Sequence, residues 1–413
     1  MSADAPRIRA VEAFRVQHDG QQLIAIRDPA GYTASILLLS PVVIELMSLF
    51  DGRHSLLDIQ AELARRHGEI VPRADIEQVI ATLDEHGFMD SARFAAVRDE
   101  LDGRYLAAST RPAAHAGGAY PADPEELRAT MTGFFEAPDG AGPLAPDAAR
   151  ARRVRGLIAP HIDFHRGGSA YSWAYRDLSH GTDADLFIVF GTCHAGMRDP
   201  FALTHKDYDT PFGAAVVDHD FVDAVAARAG QDCFASELAH RAEHSIEFQA
   251  VFLRFLWAGR RDFTIVPVLA SFAHEALLRG AGPEDDRRVS AFLDAVTETI
   301  AATGRRVGII AGADLAHVGP RFGDPEPVSE AHRARIERED LAMLEAVTGG
   351  SARTFFDSVA RDGDRRRICG LSPIYATLRV LAANPGGAEG TLKRYGQWPD
   401  PHGVVSFASV VFP

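Results

Sequence analysis

Three apolar, strand-like runs in this chain each lead into a short polar turn that carries histidine. They are Val154–Ala159 before Pro160-His161, Leu186–Phe190 before Gly191–His194, and Val307–Ala311 before Gly312–His317. From the first of these runs onward, strand and helix patterns alternate, which favours an α/β sheet. Ligands and metals bind at the carboxyl ends of the strands in such sheets. Three strands that deliver imidazoles to one edge therefore predict a metal or acid/base site.

Composition sets the broad class of the protein. The chain has 413 residues, of which 46% are hydrophobic, so it can bury a large core and is expected to form two or more domains. Its formal net charge of -14 argues against nucleic acid or an anionic membrane as the main partner. The longest apolar run, residues 35–50, is interrupted by Ser40, Pro41 and Glu45, so it is not a membrane span.

The cysteine content and the first residues both indicate a compartment. The three cysteines, Cys193, Cys233 and Cys369, are sparse and odd in number, which does not suit a disulfide framework and fits a reducing environment. The first residues lack the apolar core of a secretory signal, so no export signal is predicted. We therefore expect a soluble cytoplasmic protein.

Residues 1–93 predict a small α+β domain. The pattern consists of a β-hairpin over Ala10–Arg27 with its turn at Asp19-Gly20, helices over Val42–Phe50, Ser55–Arg66 and Ala74–Glu85, and a short strand at Gly87–Met89. Ser40 supplies an N-cap and Pro41 the first helical position, and Ser55 with Asp58 forms a capping-box pattern. A hairpin followed by three short helices is typical of a winged-helix-like module.

Two interpretations of this module remain open. Winged helices often bind DNA, but the third helix carries Asp75, Glu77, Asp84 and Glu85, which would repel phosphate. The pattern that runs from Leu39-Ser40-Pro41 to Leu63 resembles the PqqD-like modules, and this resemblance implies that the module holds a peptide for a modifying enzyme. The alternative is an appendage that serves packing or dimerisation.

Two segments have the composition of linkers. Residues 94–111 are polar and are expected to join the N-terminal module to a main domain over residues 112–413. The tract Ala137–Ala149 is rich in proline, glycine and aspartate, and we expect it on the surface before the first core strand.

The histidines after the first two strands are candidate functional residues. His161 follows a proline that fixes the turn, and His194 lies between glycines that let the backbone fold tightly beneath a bound ion or substrate. A lone histidine in such a place is more often structural. Cys193 could act as a nucleophile, but a small buried thiol is the favoured interpretation.

Two histidine–carboxylate pairs and a further cysteine complete the set. His244 and Glu247 are three residues apart on one helical face, where they could orient a ligand or relay protons, although a glutamate near a helix start is stabilising in itself. Asp314 and His317 are also three apart, and an aspartate that accepts from imidazole sets its tautomer and basicity. Cys369 by itself would more often be a core residue.

The combination of these residues changes their interpretation. Two imidazoles and a thiolate from separate segments could bind a transition metal on one face and leave the other open to water, dioxygen or substrate. Such ligands suit iron, copper or zinc and disfavour magnesium or calcium. The sequence contains no HExxH, paired CxxC, Walker or GxSxG motif that would compete for this role.

A series of short motifs runs along the chain from about His115 to its end. They are Ala114–Tyr120, Ala159-Pro160-His161, Gly191–His194, Thr210–Gly213, Glu243–Glu247, Asp314–His317 and Ile368–Gly370. In these motifs and in their order, the chain resembles the Memo family, which includes the bacterial proteins called AmmeMemoRadiSam system protein B.

This resemblance implies both a fold and a site. The fold would be the α/β architecture of the LigB-type class III extradiol dioxygenases, a central mixed sheet flanked by helices, which holds mononuclear non-haem iron(II). The implied metal ligands are His161, His194 and Cys369. The implied further site residues are His244, Asp314 and His317. The chain departs from the family pattern at Ala316, at Val318 and directly after His161, which leaves the ligands intact and changes the wall that faces the substrate.

The leading hypothesis is a dioxygenase-like iron(II) enzyme, with His244 and His317 as acid/base groups and Asp314 orienting His317. Dioxygen and an organic or peptide substrate would share the open face. One alternative is a non-enzymatic iron- or copper-binding scaffold that recruits partner proteins. Another is a zinc-dependent hydrolase with His244 or Glu247 as the base. The family name also implies AMMECR1-like and radical SAM proteins as partners.

Overall fold

A computed structural model describes residues 5–145, 153–400 and 402–413, and the chain divides into two units, Met1–Ala107 and Ala108–Pro413. Part of the second predicted linker, residues 146–149, lies outside the described residues, and its described part contains neither helix nor strand. Within the described ranges, every helix is too short or too polar to cross a membrane.

The described part of the N-terminal unit contains a three-stranded antiparallel sheet and four helices. They are β1 (Glu12–His18), β2 (Gln21–Arg27), β3 (Leu37–Leu39), α1 (Pro41–Met47), α2 (Leu56–His67), α3 (Arg73–Glu85) and α4 (Ala92–Ala107), with strand order β1-β2-β3. The predicted hairpin is confirmed, because His18 pairs with Gln21 across the turn. Asp19 and Gly20 in that turn have φ of 48° and 77°, the left-handed pair that a two-residue hairpin requires.

Helix starts in this unit follow the predicted capping, and two element ends differ from the prediction. Ser40 caps α1, and Ser55 with Asp58 forms the reciprocal capping box of α2. Helix α1 ends at Met47, three residues earlier than predicted. The strand predicted at Gly87–Met89 is reduced to a single bridge at its last residue.

The segment interpreted as a polar linker, residues 94–111, instead contains most of α4. Phe94 and Tyr105 on this helix are buried. Together with Val97 and Leu101 they recur at helical spacing. This periodicity, which indicates a helix, outweighs the polar composition that suggested a linker.

The described residues of the C-terminal unit form a mixed sheet of eight strands at its centre. Its strands, including a separate pair formed by β4 and β8, are β4 (Thr110–Arg111), β5 (Gly156–Ala159), β6 (Leu186–Thr192), β7 (Phe201–Leu203), β8 (Asp207–Tyr208), β9 (Thr264–Ala270), β10 (Val307–Gly312), β11 (Asp314–Val318), β12 (Thr391–Asp400) and β13 (Gly403–Phe412). The order across the sheet is β11-β13-β5-β10-β6-β9-β7. Strand β13 pairs with β12 along one edge and with both β5 and β11 along the other.

Helices flank this sheet. They are α5 (Pro124–Glu136), α6 (Phe164–Gly181), α7 (His219–Ala229), α8 (His244–Trp257), α9 (Ala273–Arg279), α10 (Arg287–Thr303), α11 (Glu330–Thr348), α12 (Ala352–Ala360) and α13 (Leu371–Ala383). Every residue of β6 and of β13 is buried, as expected for strands that are covered on both faces. The predicted α/β class, with a central mixed sheet flanked by helices, is therefore confirmed.

The three strands singled out in the sequence are neighbours. Strands β5, β10 and β6 lie side by side and run parallel, so their carboxyl ends meet at one edge, where His161 and His194 follow. The third strand differs from the prediction, because only Ala313 separates β10 from β11. Asp314 and His317 consequently lie in a strand and not in a turn.

An irregular register in β11 decides where its side chains point. Asp314 pairs with Phe407 and His317 with Val405, so three steps along β11 match two steps along β13. In a regular strand, residues three apart point to opposite faces. The extra residue, a β-bulge, brings the side chains of Asp314 and His317 to the same face of the sheet.

Candidate functional site

His161, His194 and Cys369 converge at the carboxyl ends of the parallel strands. His161 comes two residues after the end of β5, His194 two residues after the end of β6, and Cys369 two residues before α13. Their potential ligand atoms all lie within 4.8 Å of one another. Within this group, His161 Nε2 and Cys369 Sγ are 3.2 Å apart. The sheet thus assembles one group from three distant segments.

Hydrogen bonds at Nδ1 orient both imidazoles. His161 Nδ1 lies 2.9 Å from the carbonyl oxygen of Gly312. Nδ1 therefore carries the proton and donates, and the lone pair is on Nε2, which faces Cys369. His194 Nδ1 lies 3.0 and 3.1 Å from the two carboxylate oxygens of Glu243, which sets the same tautomer. Histidines that bind metals commonly donate their other N–H to a carbonyl or carboxylate in this way.

Glu243 is a site residue that the sequence patterns did not indicate. As the N-cap of α8, its carboxylate accepts from Ser245 N at 3.0 Å, and it also accepts from His194 N at 2.8 Å. Burial alone would raise its pKa, but the charges of His194 and His244 and these hydrogen bonds lower the pKa well below its usual value. An acidic residue at a helix start is stabilising in itself, so the sequence carried no signal for the contact of Glu243 with His194.

A second group of potential ligands overlaps the first. His194, Glu243 and His244 also offer atoms within 4.8 Å of one another. The Glu243 carboxylate, however, already accepts N–H groups from His194 and Ser245. It therefore suits the role of an orienting partner better than that of a ligand, and the group containing Cys369 is the better candidate for a metal site.

Backbone hydrogen bonds hold the loop that carries Cys369. Its carbonyl oxygen accepts from Thr192 Oγ1 at 3.1 Å, and Gly370 N donates to Asp314 O at 3.0 Å. A side chain at Gly370 would place its Cβ 2.5 Å from that oxygen, so only glycine permits this approach. The loop is thereby tied to the end of β6 and to the start of β11.

Burial favours the neutral forms of the groups in this site. It lowers the pKa of His161 to about 3, with the neighbouring His194 adding to the effect, and lowers the pKa of His317 to about 4. It raises the pKa of Asp314 to about 6 and raises the pKa of the Cys369 thiol well above its usual value. Neutral imidazole is the form that binds metals, and a bound cation deprotonates a coordinating thiol.

Asp314 has a different partner from the expected one. Its Oδ1 accepts from His161 N at 3.0 Å, and its Oδ2 lies 3.7 Å from His161 Nε2. His317 Nδ1 instead lies 3.1 Å from Leu315 O. The expected hydrogen bond from His317 to Asp314 is therefore replaced by two contacts with the backbone, one made by each side chain. Asp314 instead holds the backbone of a candidate ligand.

His244 lies against both candidate histidine ligands. Its ring stacks on that of His194 with centroids 4.6 Å apart, and it meets His161 and His115 edge-on at 5.2 and 5.6 Å. Burial lowers its pKa well below the usual value. Its side chain is nevertheless 27% exposed, so it can exchange a proton between the site and solvent.

Glu247, which was expected to share a functional face with His244, has a structural role. It is fully buried and forms an ion pair with Arg111. Its Oε1 accepts from the Tyr120 hydroxyl and from His115 N, the latter at 3.0 Å. This carboxylate is committed to those partners, which removes it as the base of a hydrolase. Arg111 Nη2 also donates to Glu243 O at 2.7 Å, so the ion pair holds the start of α8.

The thiol of Cys193 does not suit a nucleophile. Cys193 is buried, and burial raises its pKa to about 12. Cys233 is also buried, and burial raises its pKa to about 11. Because the thiolate is the reactive form, these positions agree with the interpretation of Cys193 as a small buried thiol.

The donor set of the first group fits one transition-metal ion. Bonds of about 2.1 Å to nitrogen and about 2.3 Å to sulfur put two ligands of one ion about 3.1 Å apart at a right angle and about 3.6 Å apart at a tetrahedral angle. The 3.2 Å between His161 Nε2 and Cys369 Sγ agrees with this spacing. The fold and the site together define the class: an α/β protein with a candidate mononuclear centre of two histidines and one cysteine.

Comparison with known proteins identifies the family. The family model described as Memo-like protein matches residues 111–411, and the chain belongs to this family. The MEMO1 family protein of Aquifex aeolicus is 28% identical over 404 residues, which cover 97% of this chain and 99% of the relative. The MEMO1 family protein MK0963 of Methanopyrus kandleri is 28% identical over 308 residues, which cover 73% of this chain and 98% of the relative.

The relatives differ in how much of this chain they match. The Aquifex relative aligns with 97% of the chain, so the alignment includes the N-terminal unit. The MEMO1 family protein TTHA0924 of Thermus thermophilus is 26% identical over 336 residues and covers 81% of this chain and 92% of the relative. The match to the Methanopyrus relative covers almost all of that protein but only 73% of this chain. The Methanopyrus protein is therefore about as long as the C-terminal unit alone.

Proposed function

We propose that the C-terminal unit binds iron(II) through His161, His194 and Cys369 and acts as a dioxygenase-like redox enzyme on an organic or peptide substrate. The observation that carries the proposal is the convergence of the three ligand atoms, with each imidazole oriented by a partner at Nδ1. Iron(II), when bound, supplies the one-electron and dioxygen chemistry that side chains lack.

The donor atoms favour a transition metal over magnesium or calcium. Thiolate and imidazole suit iron, copper and zinc, whereas magnesium and calcium prefer oxygen ligands. A zinc-dependent hydrolase would need a base beside the metal. Glu247, one of the two expected bases, is committed to Arg111, which weakens that alternative. Three protein ligands leave positions open for a substrate.

His244 and His317 are the groups that we assign to proton transfer. Because burial lowers the pKa of both, each is neutral at pH 7 and can accept a proton. His244 stacks on His194, and His317 shares one face of the bulged strand with Asp314. Asp314 acts through the backbone of His161, which makes it a positioning residue.

Metal measurement on protein isolated without oxygen tests this proposal. The variants His161→Ala, His194→Ala and Cys369→Ser are expected to lose iron while they retain the circular dichroism of the wild type. Cys193→Ser is the matched control, because its thiol is buried one residue from His194 but is not among the proposed ligands. It is expected to retain iron.

The identity of the bound metal distinguishes between the hypotheses. Iron in the wild type and the control, and its absence from the three ligand variants, would support the proposal. Copper would favour the scaffold alternative and zinc the hydrolase alternative. A metal-free Cys193→Ser variant beside a loaded Cys369→Ser variant would overturn the assignment of the thiolate.

We also propose that the N-terminal unit holds an extended peptide. In the described part of this unit, β3 pairs with the hairpin strand β2. Strand β3 is therefore an edge strand of the three-stranded sheet. Ile36 and Leu38, at and beside β3, are 59% and 44% exposed. An apolar edge strand is a template for an added strand, and peptides bind in this way through main-chain hydrogen bonds.

Expression of residues 108–413 tests whether the N-terminal unit is separable. The fragment has to begin before Arg111, which lies in the predicted linker but pairs with the buried Glu247. A soluble, iron-loaded fragment is expected, since the Methanopyrus relative has about this length. An insoluble or metal-free fragment would favour the packing alternative for residues 1–93.

A further inference from the structure

The loop that carries Cys369 is fastened to the strand that carries His317. His317 N donates to Arg366 O at 2.7 Å, and Arg367 Nη1 donates to His317 O at 3.0 Å. Two consecutive residues therefore bind both polar groups of the His317 backbone. These residues come just before Cys369, so the same contacts help to fix the positions of the Cys369 thiol and of His317.

Asp324 anchors the guanidinium group of Arg367. Arg367 Nη2 forms an ion pair with Asp324 Oδ1, and Nη1 lies 3.3 Å from Asp324 Oδ2. Asp324 Oδ2 also accepts from Gly319 N at 2.6 Å, directly after the end of β11. The planar fork of arginine suits such a two-point contact, which lysine cannot reproduce.

The backbone at Arg367 adopts a conformation that few side chains tolerate. Arg367 has φ of 53° and Asp364 has φ of 56°. Arg367 N donates to Asp364 O at 2.8 Å, and Ile368 N donates to Asp364 Oδ1 at 2.8 Å. Left-handed conformations of residues other than glycine persist where surrounding contacts fix them, and they cluster at functional sites.

A buried ion pair also fixes the loop that precedes Cys369. Arg366 is buried and pairs with Asp340 on α11. Asp340 Oδ2 accepts from Ser406 Oγ at 2.6 Å, and Ser406 Oγ accepts from Ala316 N at 2.9 Å. The strand beside His317 and the loop before Cys369 are thus fixed to the same carboxylate.

We propose that Arg367 is a positioning residue that holds Cys369 and His317 in one arrangement and so sets the geometry of the metal site without touching the metal. The inference rests on the proposed function, because it requires Cys369 as a ligand. The neighbouring Arg365 provides a contrast, since its guanidinium pairs with Glu339 and Asp362 and not with His317.

Arg367→Asn in the full-length protein tests this role, with Arg365→Asn as the matched control. Asparagine tolerates the left-handed backbone but is too short to reach His317 O and Asp324 together. The proteins are titrated with cobalt(II), and the dissociation constant and the thiolate-to-cobalt absorption are measured. Arg367→Asn is expected to weaken cobalt binding by about 10- to 100-fold and to shift that absorption, while Arg365→Asn leaves both unchanged.

If Arg367 only stabilised the fold, Arg367→Asn would lower the melting temperature of the metal-free protein and leave the thiolate-to-cobalt absorption unchanged. Asp324→Asn is the second variant, which keeps Arg367 but weakens its anchor, and a smaller shift in the same direction is expected. Wild-type affinity and absorption in both variants would overturn the positioning role and leave the metal site intact. If the wild type and Cys369→Ser bind cobalt identically, the metal proposal itself fails, and the positioning role fails with it.

Discussion

Replacing Glu243 by glutamine would remove the charge that holds His194 while keeping the size of the side chain. The carboxylate contacts His194 Nδ1 at 3.0 and 3.1 Å and His194 N at 2.8 Å. Hydrogen bonds to a charged group contribute about 1.5–3 kcal/mol, which corresponds to about 10- to 150-fold in a dissociation constant. Because glutamine keeps one accepting oxygen, we expect iron(II) binding to weaken by about 10-fold to 30-fold.

The assay is an anaerobic competition titration of iron(II) with a chelator at pH 7. Glu298→Gln, an exposed position on α10, is the control for loss of one negative charge and is expected to match the wild type. Complete loss of binding in Glu243→Gln would make Glu243 a ligand, as in the overlapping group with His194 and His244. Wild-type affinity would refute the reasoning that its hydrogen bond to His194 supports the metal.

Four further substitutions have defined outcomes. His244→Ala and His317→Ala are expected to retain iron and to lose substrate-dependent dioxygen consumption, measured by metal content and an oxygen electrode; iron loss in both would make them ligands. Arg111→Met leaves the buried Glu247 without its cationic partner and should lower the free energy of unfolding by about 3–5 kcal/mol in a denaturant titration, and an unchanged value would contradict the importance of this pair. Ser55→Ala removes a capping box and should lower the free energy of unfolding of the N-terminal unit by about 1 kcal/mol without changing the iron content. Iron loss would contradict the expectation that the metal site does not depend on this unit.

Local patterns predicted the parts of the structure that depend on local interactions. Apolar runs indicated β5, β6 and β10. The rule that ligands bind where parallel strands end was sufficient to predict that His161 and His194 lie close together. The hairpin and its Asp19-Gly20 turn followed from turn chemistry. The capping box at Ser55 and Asp58 followed from its spacing.

Features that depend on distant partners were not predicted. The bulge that brings Asp314 and His317 to one face exists only in the pairing with β13, which lies far along the chain. The ion pair between Arg111 and Glu247 likewise joins distant segments. Glu243 caps α8 locally and also binds His194, which is distant in the sequence. The second contact could be recognised only in the folded structure.

X-ray absorption at the iron edge of the anaerobically loaded protein tests the central claim most directly. The account predicts a sulfur neighbour and imidazole nitrogens in the wild type, with the sulfur contribution lost in Cys369→Ser and retained in Cys193→Ser. A wild-type spectrum without a sulfur neighbour, or one whose sulfur contribution survives in Cys369→Ser, would contradict an iron centre formed by His161, His194 and Cys369.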